Sequence, residues 1–142
     1  MTAPSSPAKP LPRADGVTAP YWAAARERRL HLQFCRGCDR FVHLPAAFCP
    51  RCASADLGWR DVSGLGTLYS YTVMHDAPAP GFAGSLPYLV GIAELAEQPG
   101  LLLTAGLLDA APDEVTIGMP LEVVFEQLAP ETIVPQLRPR RA

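Results

Sequence analysis

The chain has 142 residues, 49% of them hydrophobic, and a formal net charge of −2. Such a composition is globular, not disordered, and suffices for one core or two small packed modules. No apolar run approaches the roughly 18–20 residues that span a bilayer, which argues against a membrane-spanning helix and for a cytoplasmic protein.

The charge is unevenly distributed. Residues 1–60 carry nine basic and four acidic side chains (+5), and residues 61–142 carry three basic and ten acidic ones (−7). No lysine or arginine occurs between Asp61 and Leu137, so a boundary is expected near residue 60.

In chain order, residues 1–17 read as a flexible, Pro-rich arm without the apolar core of a signal peptide. Residues 18–30 are predicted to form a helix, with Thr18 or Ala19 at the cap and Pro20 in the first turn. Within it, Tyr21 and Trp22 are candidate partner contacts, because such aromatics often anchor interfaces; packing against the following module is the structural alternative.

Residues 31–60 contain all four cysteines, as Cys35-Arg-Gly-Cys38 and Cys49-Pro-Arg-Cys52. The spacing C-x2-C-x10-C-x2-C lets two knuckle turns aim four sulfurs at one tetrahedral ion, with Gly37 expected to permit the first turn. Zinc fits best; iron in the same sulfur cage is the chemical alternative. Two matched pairs fit neither a lone redox C-x-x-C nor the disulfide framework of a secreted miniprotein. Four thiolates leave zinc no open position, so the expected role is structural.

Residues 61–138 turn to β character. Residues 67–74 alternate, placing Leu68, Ser70, Thr72 and Met74 opposite Thr67, Tyr69, Tyr71 and Val73. A Pro/Gly loop over residues 76–87 follows; it either displays Phe82, a third candidate partner contact, or folds back over the barrel. Further strands are expected at residues 88–95, at 101–108 after the turn Gln98-Pro99-Gly100, at 121–128 and at 132–137. Five short strands in this space fit an OB-type barrel, and residues 139–142 read as a basic tail.

A metal ribbon beside such a barrel suggests single-stranded nucleic acid, yet a groove following phosphates needs basic residues, and the barrel half has none before Arg138. Catalytic motifs are also lacking. His31 and His43 flank the cysteine module, where packing or capping suits them. His75 and Asp76 are adjacent on an extended chain and therefore face apart, although either could serve a shared active site.

The ordered set Tyr21-Trp22, Arg29-Leu30-His-Leu-Gln-Phe-Cys35, Phe48-Cys-Pro-Arg-Cys52, Trp59, Ser63-Gly-Leu-Gly66, Pro87-Tyr88, Ile117-Gly-Met-Pro120 and Val123-Val-Phe-Glu126 resembles the acyl-CoA-associated zinc-ribbon/OB-fold (DUF35-type) family over residues 18–138. The resemblance implies a mainly β chain: a short N-terminal helical segment, a rubredoxin-like zinc ribbon on Cys35, Cys38, Cys49 and Cys52, and a five-stranded OB-fold. It further implies a non-catalytic accessory subunit of a thiolase-fold enzyme, such as a sterol-carrier-type thiolase, aldolase or acyltransferase, acting on carbon–carbon bonds of acyl-CoA. With no hot-dog-fold hydratase fused, separately encoded partners are expected. Combined with the charge split, it makes Arg26, Arg28, Arg29, Arg36 and Arg51 candidates for the anionic end of coenzyme A.

Overall fold

The computed structural model describes residues 8–141, so the first seven residues of the expected arm and the last residue of the expected tail, Ala142, lie outside the described residues. Among the described residues, one α-helix, α1 (Ala19–Arg26), is followed by eight strands: β1 (His31–Cys35), β2 (Arg40–Val42), β3 (Leu57–Asp61), β4 (Leu65–Met74), β5 (Tyr88–Leu95), β6 (Leu102–Leu107), β7 (Pro120–Ala129) and β8 (Thr132–Pro139), with short 3-10 turns at Ala83–Ser85 and Pro112–Glu114. The first three form a sheet in the order β2-β1-β3, and the last five close a barrel in the order β4-β5-β6-β8-β7. Neighbours pair antiparallel except β6 and β8, which meet in parallel. The mainly β chain with a short helix, a cysteine ribbon and a five-stranded barrel is thus as expected.

The helix is shorter than its composition suggests, ending at Arg26 and not near Leu30. Arg28 takes a left-handed φ of 58°, and the N–H groups of Arg28 and Arg29 return to the carbonyls of Ala25 and Ala24. This double closure is a Schellman stop, made here without glycine. At the other end the Thr18 hydroxyl makes no cap bond to the helix. Instead, the Asp15 carboxylate accepts from the Thr18 N–H at 2.7 Å and from its hydroxyl at 2.9 Å, tying the preceding turn. Ala24 and Ala25 are buried, and Tyr21 packs against the core on the same helical face.

One bulge corrects the expected strand alternation. In β4 the pairing with β5 shifts between Leu68 and Ser70, so Tyr69 is the extra residue. Leu68 pairs with buried Ala93, and Val73 pairs with buried Leu89. Both therefore belong to the core side although they are five residues apart, which strict alternation forbids. For the same reason Tyr69 and Tyr71 are not on one face of a regular strand. Glycine at position 66 has a steric cause: a Cβ there would run into the Glu94 carbonyl, where β4 is paired with both β5 and β7.

The barrel interior is a leucine cluster comprising Leu68, Leu89, Leu95, Leu101, Leu103, Leu107, Leu121 and Leu137. Leu30 and Leu32, from the start of the ribbon, belong to the same cluster, and Leu32 is fully buried. Ribbon and barrel therefore share one core.

Candidate metal centre

The four cysteine sulfurs lie within 4.8 Å of one another. Cys35 Sγ is 3.6 Å from Cys52 Sγ, and Cys38 Sγ is 3.8 Å from Cys49 Sγ. A tetrahedral zinc with bonds of about 2.3 Å sets its sulfurs about 3.8 Å apart. The two closest sulfur pairs match that spacing, so the four cysteines form a cage that fits a structural zinc ion.

Each knuckle is built on the same local plan. The residue after its second cysteine is left-handed, Asp39 with φ 54° and Ala53 with φ 62°. Gly37 is not that residue; it has a different duty. A Cβ at position 37 would lie 2.9 Å from both Cβ and Oγ of Ser54, so glycine is needed where the two knuckles approach. Asp39 and Ala53 escape sequence reading because neither is a glycine. Ala53 N–H bonds to the Cys49 carbonyl and Cys49 N–H to the Ser54 carbonyl, both at 2.9 Å, closing the second knuckle.

Burial pushes the Cys38 thiol up to about 12, while the N–H groups of Cys52 and Arg51 hold Cys49 down to about 6. Four adjacent thiolates repel, and a dication bound among them removes that conflict. Cys35 and Cys49 are buried, Cys38 is half-buried and Cys52 is exposed, so the cage reaches solvent at Cys52.

Around the cage, polar side chains fix the ribbon in place. Gln33, the one buried polar side chain among the described residues, donates to the Ala46 carbonyl and accepts from its N–H, both at 2.9 Å. From the barrel, the Gln98 side chain accepts from the Phe41 N–H at 2.9 Å and donates to its carbonyl at 3.2 Å, covering the outer edge of β2. At the ribbon's base Asp61 accepts from Arg29, is 2.6 Å from His31 Nδ1, and is held below the usual carboxylate range first by His31 and then by Arg29. Sequence patterning signals none of these three, because each links positions 13 to 57 residues apart.

The candidate coenzyme A arginines are dispersed. Arg26 faces Glu131 at 3.7 Å, Arg29 holds Glu27 and Asp61, and Arg36 donates to Asp56. Arg28 donates to the Phe125 carbonyl at 2.9 Å and shares a surface groove with Arg29. Arg51 lies on the second knuckle, exposed. The aromatic candidates divide similarly. Tyr21 is packed, its hydroxyl pushed up to about 12 by burial, and its ring meets Trp22 edge-on at 4.8 Å. Phe82 is folded back, stacked on Tyr88 at 5.4 Å with Lys9 over it, so the loop does not present it freely. His75 and Asp76 are both exposed beyond the end of β4. His31 stacks on Trp59, and burial lowers His43 beside Tyr21, matching the packing roles expected of both.

Comparison with known proteins agrees with this architecture. Residues 22–58 match the rubredoxin-like zinc ribbon domain of ChsH2, and residues 59–126 match its C-terminal OB-fold domain. A probable enoyl-CoA hydratase alpha subunit of Thermomonospora curvata is 37% identical over 92% of this chain, which spans only 40% of that protein. A DUF35 domain-containing scaffold protein of Methanocaldococcus jannaschii is 31% identical, with 80% of each chain covered. Among solved structures, a chain of the Ltp2-ChsH2(DUF35) aldolase superposes with a TM-score of 0.81 at 37% identity, over 90% of this chain and 98% of that one.

Proposed function

The chain belongs to the ChsH2/DUF35 family of zinc-ribbon/OB-fold proteins, and from that membership we propose that it is an accessory subunit of an acyl-CoA-processing enzyme complex. The partner in this reading is a thiolase-fold enzyme that makes or breaks carbon–carbon bonds. The observation that carries the proposal is the extent of the match: ribbon and barrel together cover 98% of a chain in an Ltp2-ChsH2(DUF35) aldolase. The site's chemistry supports an accessory role. Its candidate metal ligands are all thiolates, which would leave a bound ion closed to substrate, and His75 and Asp76 are both exposed. The barrel half, without Lys or Arg from residue 62 to 137, suits a protein partner better than a phosphate backbone.

The proposal extends to coenzyme A, whose phosphates would meet arginines of the first half. Mixing the purified chain with the Ltp2 subunit of that aldolase should give a stable complex on gel filtration and raise aldol-cleavage activity. No complex, with full activity of Ltp2 alone, would sink the accessory reading. Calorimetric titration of acyl-CoA into chain and complex tests the coenzyme separately; absence of heat in both removes it.

A further inference from the structure

Between Arg40 and Arg51 the ribbon carries ten residues with no acidic or basic side chain other than His43, and that histidine is partly buried, with burial lowering its affinity for a proton. At the centre of this stretch Leu44 is 77% exposed and Phe48 61% exposed. Single exposed hydrophobes are ordinary, but two large ones four residues apart on an uncharged segment are a natural place for a partner to cover. This segment is also held in shape. Gln33 spends both ends of its buried amide on the backbone of Ala46, midway between Leu44 and Phe48. A loop so fixed loses little conformational freedom on docking.

Beside it runs a groove of about 390 Å³ lined in part by Tyr21, Trp22, His43 and Leu44. The loop thus offers two projecting side chains and a recess next to one of them. Its borders are cationic: Arg40 and Arg51 bracket the uncharged stretch, and neither has an ion-pair partner among the described residues. Burying those borders against a partner would leave two charges unmatched unless carboxylates meet them.

We propose that residues 44–48, with the groove against Tyr21 and Trp22, form the plug by which the ribbon docks into an apolar socket rimmed by carboxylates on the partner enzyme subunit. The inference rests on the accessory-subunit reading and assigns its contact surface. The acidic barrel half is then free for a different contact, and a zinc ion in the closed cage would hold the plug rigid.

The test uses full-length protein and immobilised Ltp2 subunit as the probe. The double variant L44S/F48S should bind at least tenfold more weakly than the wild type, with zinc content and thermal midpoint unchanged, because both side chains already face solvent. Ile117→Ser, which removes an exposed side chain from the barrel, should bind as the wild type does. Replacing Arg40 and Arg51 with Ser should flatten the salt dependence of binding. Unaltered affinity of L44S/F48S, or an equal loss in Ile117→Ser, would overturn the docking assignment while leaving the accessory reading standing. Dimerisation of the isolated chain that vanishes in L44S/F48S would make a second copy the occupant and equally overturn it. Failure of the wild type itself to bind Ltp2 would remove both.

Discussion

The ribbon and the barrel are stabilised in opposite ways. The barrel closes on itself through five strands and fills its centre with leucine, so its order follows from hydrogen bonding and apolar burial alone. The ribbon's own cluster is only Cys35, Val42 and Cys49, with Cys38 and Leu57 against it. Three of those five residues are metal ligands. A module this small needs a staple, and the ion supplies it. By this contrast the ribbon is the half expected to depend on a metal, and the barrel the half expected to hold without one. What complicates the contrast is the shared core, since Leu30 and Leu32 start in the ribbon and end inside the barrel's cluster.

Zinc removal is the strongest way to separate the halves. Structural zinc contributes about 10–16 kcal/mol to small thiolate sites, more than the whole stability of many domains. Chelation, or Cys35→Ser, should therefore release the metal and leave residues 31–60 exchanging amide hydrogens at nearly unprotected rates. Strands β4 to β8 should stay folded and keep most of their protection, lowered by the loss of Leu32 from the shared cluster. Metal analysis and hydrogen exchange on the same sample check both parts. If the barrel amides lose protection together with the ribbon's, the two are one cooperative unit and the contrast fails.

Leu32→Ala probes the shared core with a smaller effect. Leu32 is fully buried, and truncating such a leucine costs about 2–5 kcal/mol, depending on how far the site collapses. The cavity would open inside the barrel's cluster although the residue belongs to a ribbon strand. Denaturant unfolding should show loss of barrel stability, and competition with a chelator should show weaker zinc retention. Val42→Ala, in the ribbon's own cluster, should change zinc retention alone. Equal behaviour of the two variants would mean that the halves do not divide where the clusters do.

What could be read from the sequence divides along the same line. Barrel strands were legible because Gly and Pro punctuate them and their apolar residues alternate; the turn at Gln98-Pro99-Gly100 is present, with Gly100 at φ 76°. The cage was legible because ligand chemistry imposes its spacing. The bulge at Tyr69 was not, since one extra residue leaves no trace in composition yet reverses the parity beyond it. Nor were the left-handed turns at Arg28, Asp39 and Ala53, where surrounding contacts override the usual preference for glycine. The seam was least legible of all. Nothing near Gln98 announces that its amide will complete a strand edge in another module.

That seam gives the smallest effect and the most selective one. Gln98 treats Phe41 as a neighbouring strand would, accepting from its N–H and donating to its carbonyl. Gln98→Ala removes two hydrogen bonds, each worth about 0.5–1.5 kcal/mol net, and water can replace part of them because β2 is an edge strand. A destabilisation of about 1–2 kcal/mol is therefore expected. Zinc stoichiometry should not change, because no ligand moves, while the Phe41 amide should exchange faster. Gln98→Glu sharpens the point: the carboxylate keeps the acceptor for the Phe41 N–H but places a lone pair against the Phe41 carbonyl. It should preserve amide protection better than alanine does and still lose part of the stability. If both variants leave Phe41 exchange unchanged, the barrel does not hold the ribbon's edge, and the shared leucine core must position the two halves alone.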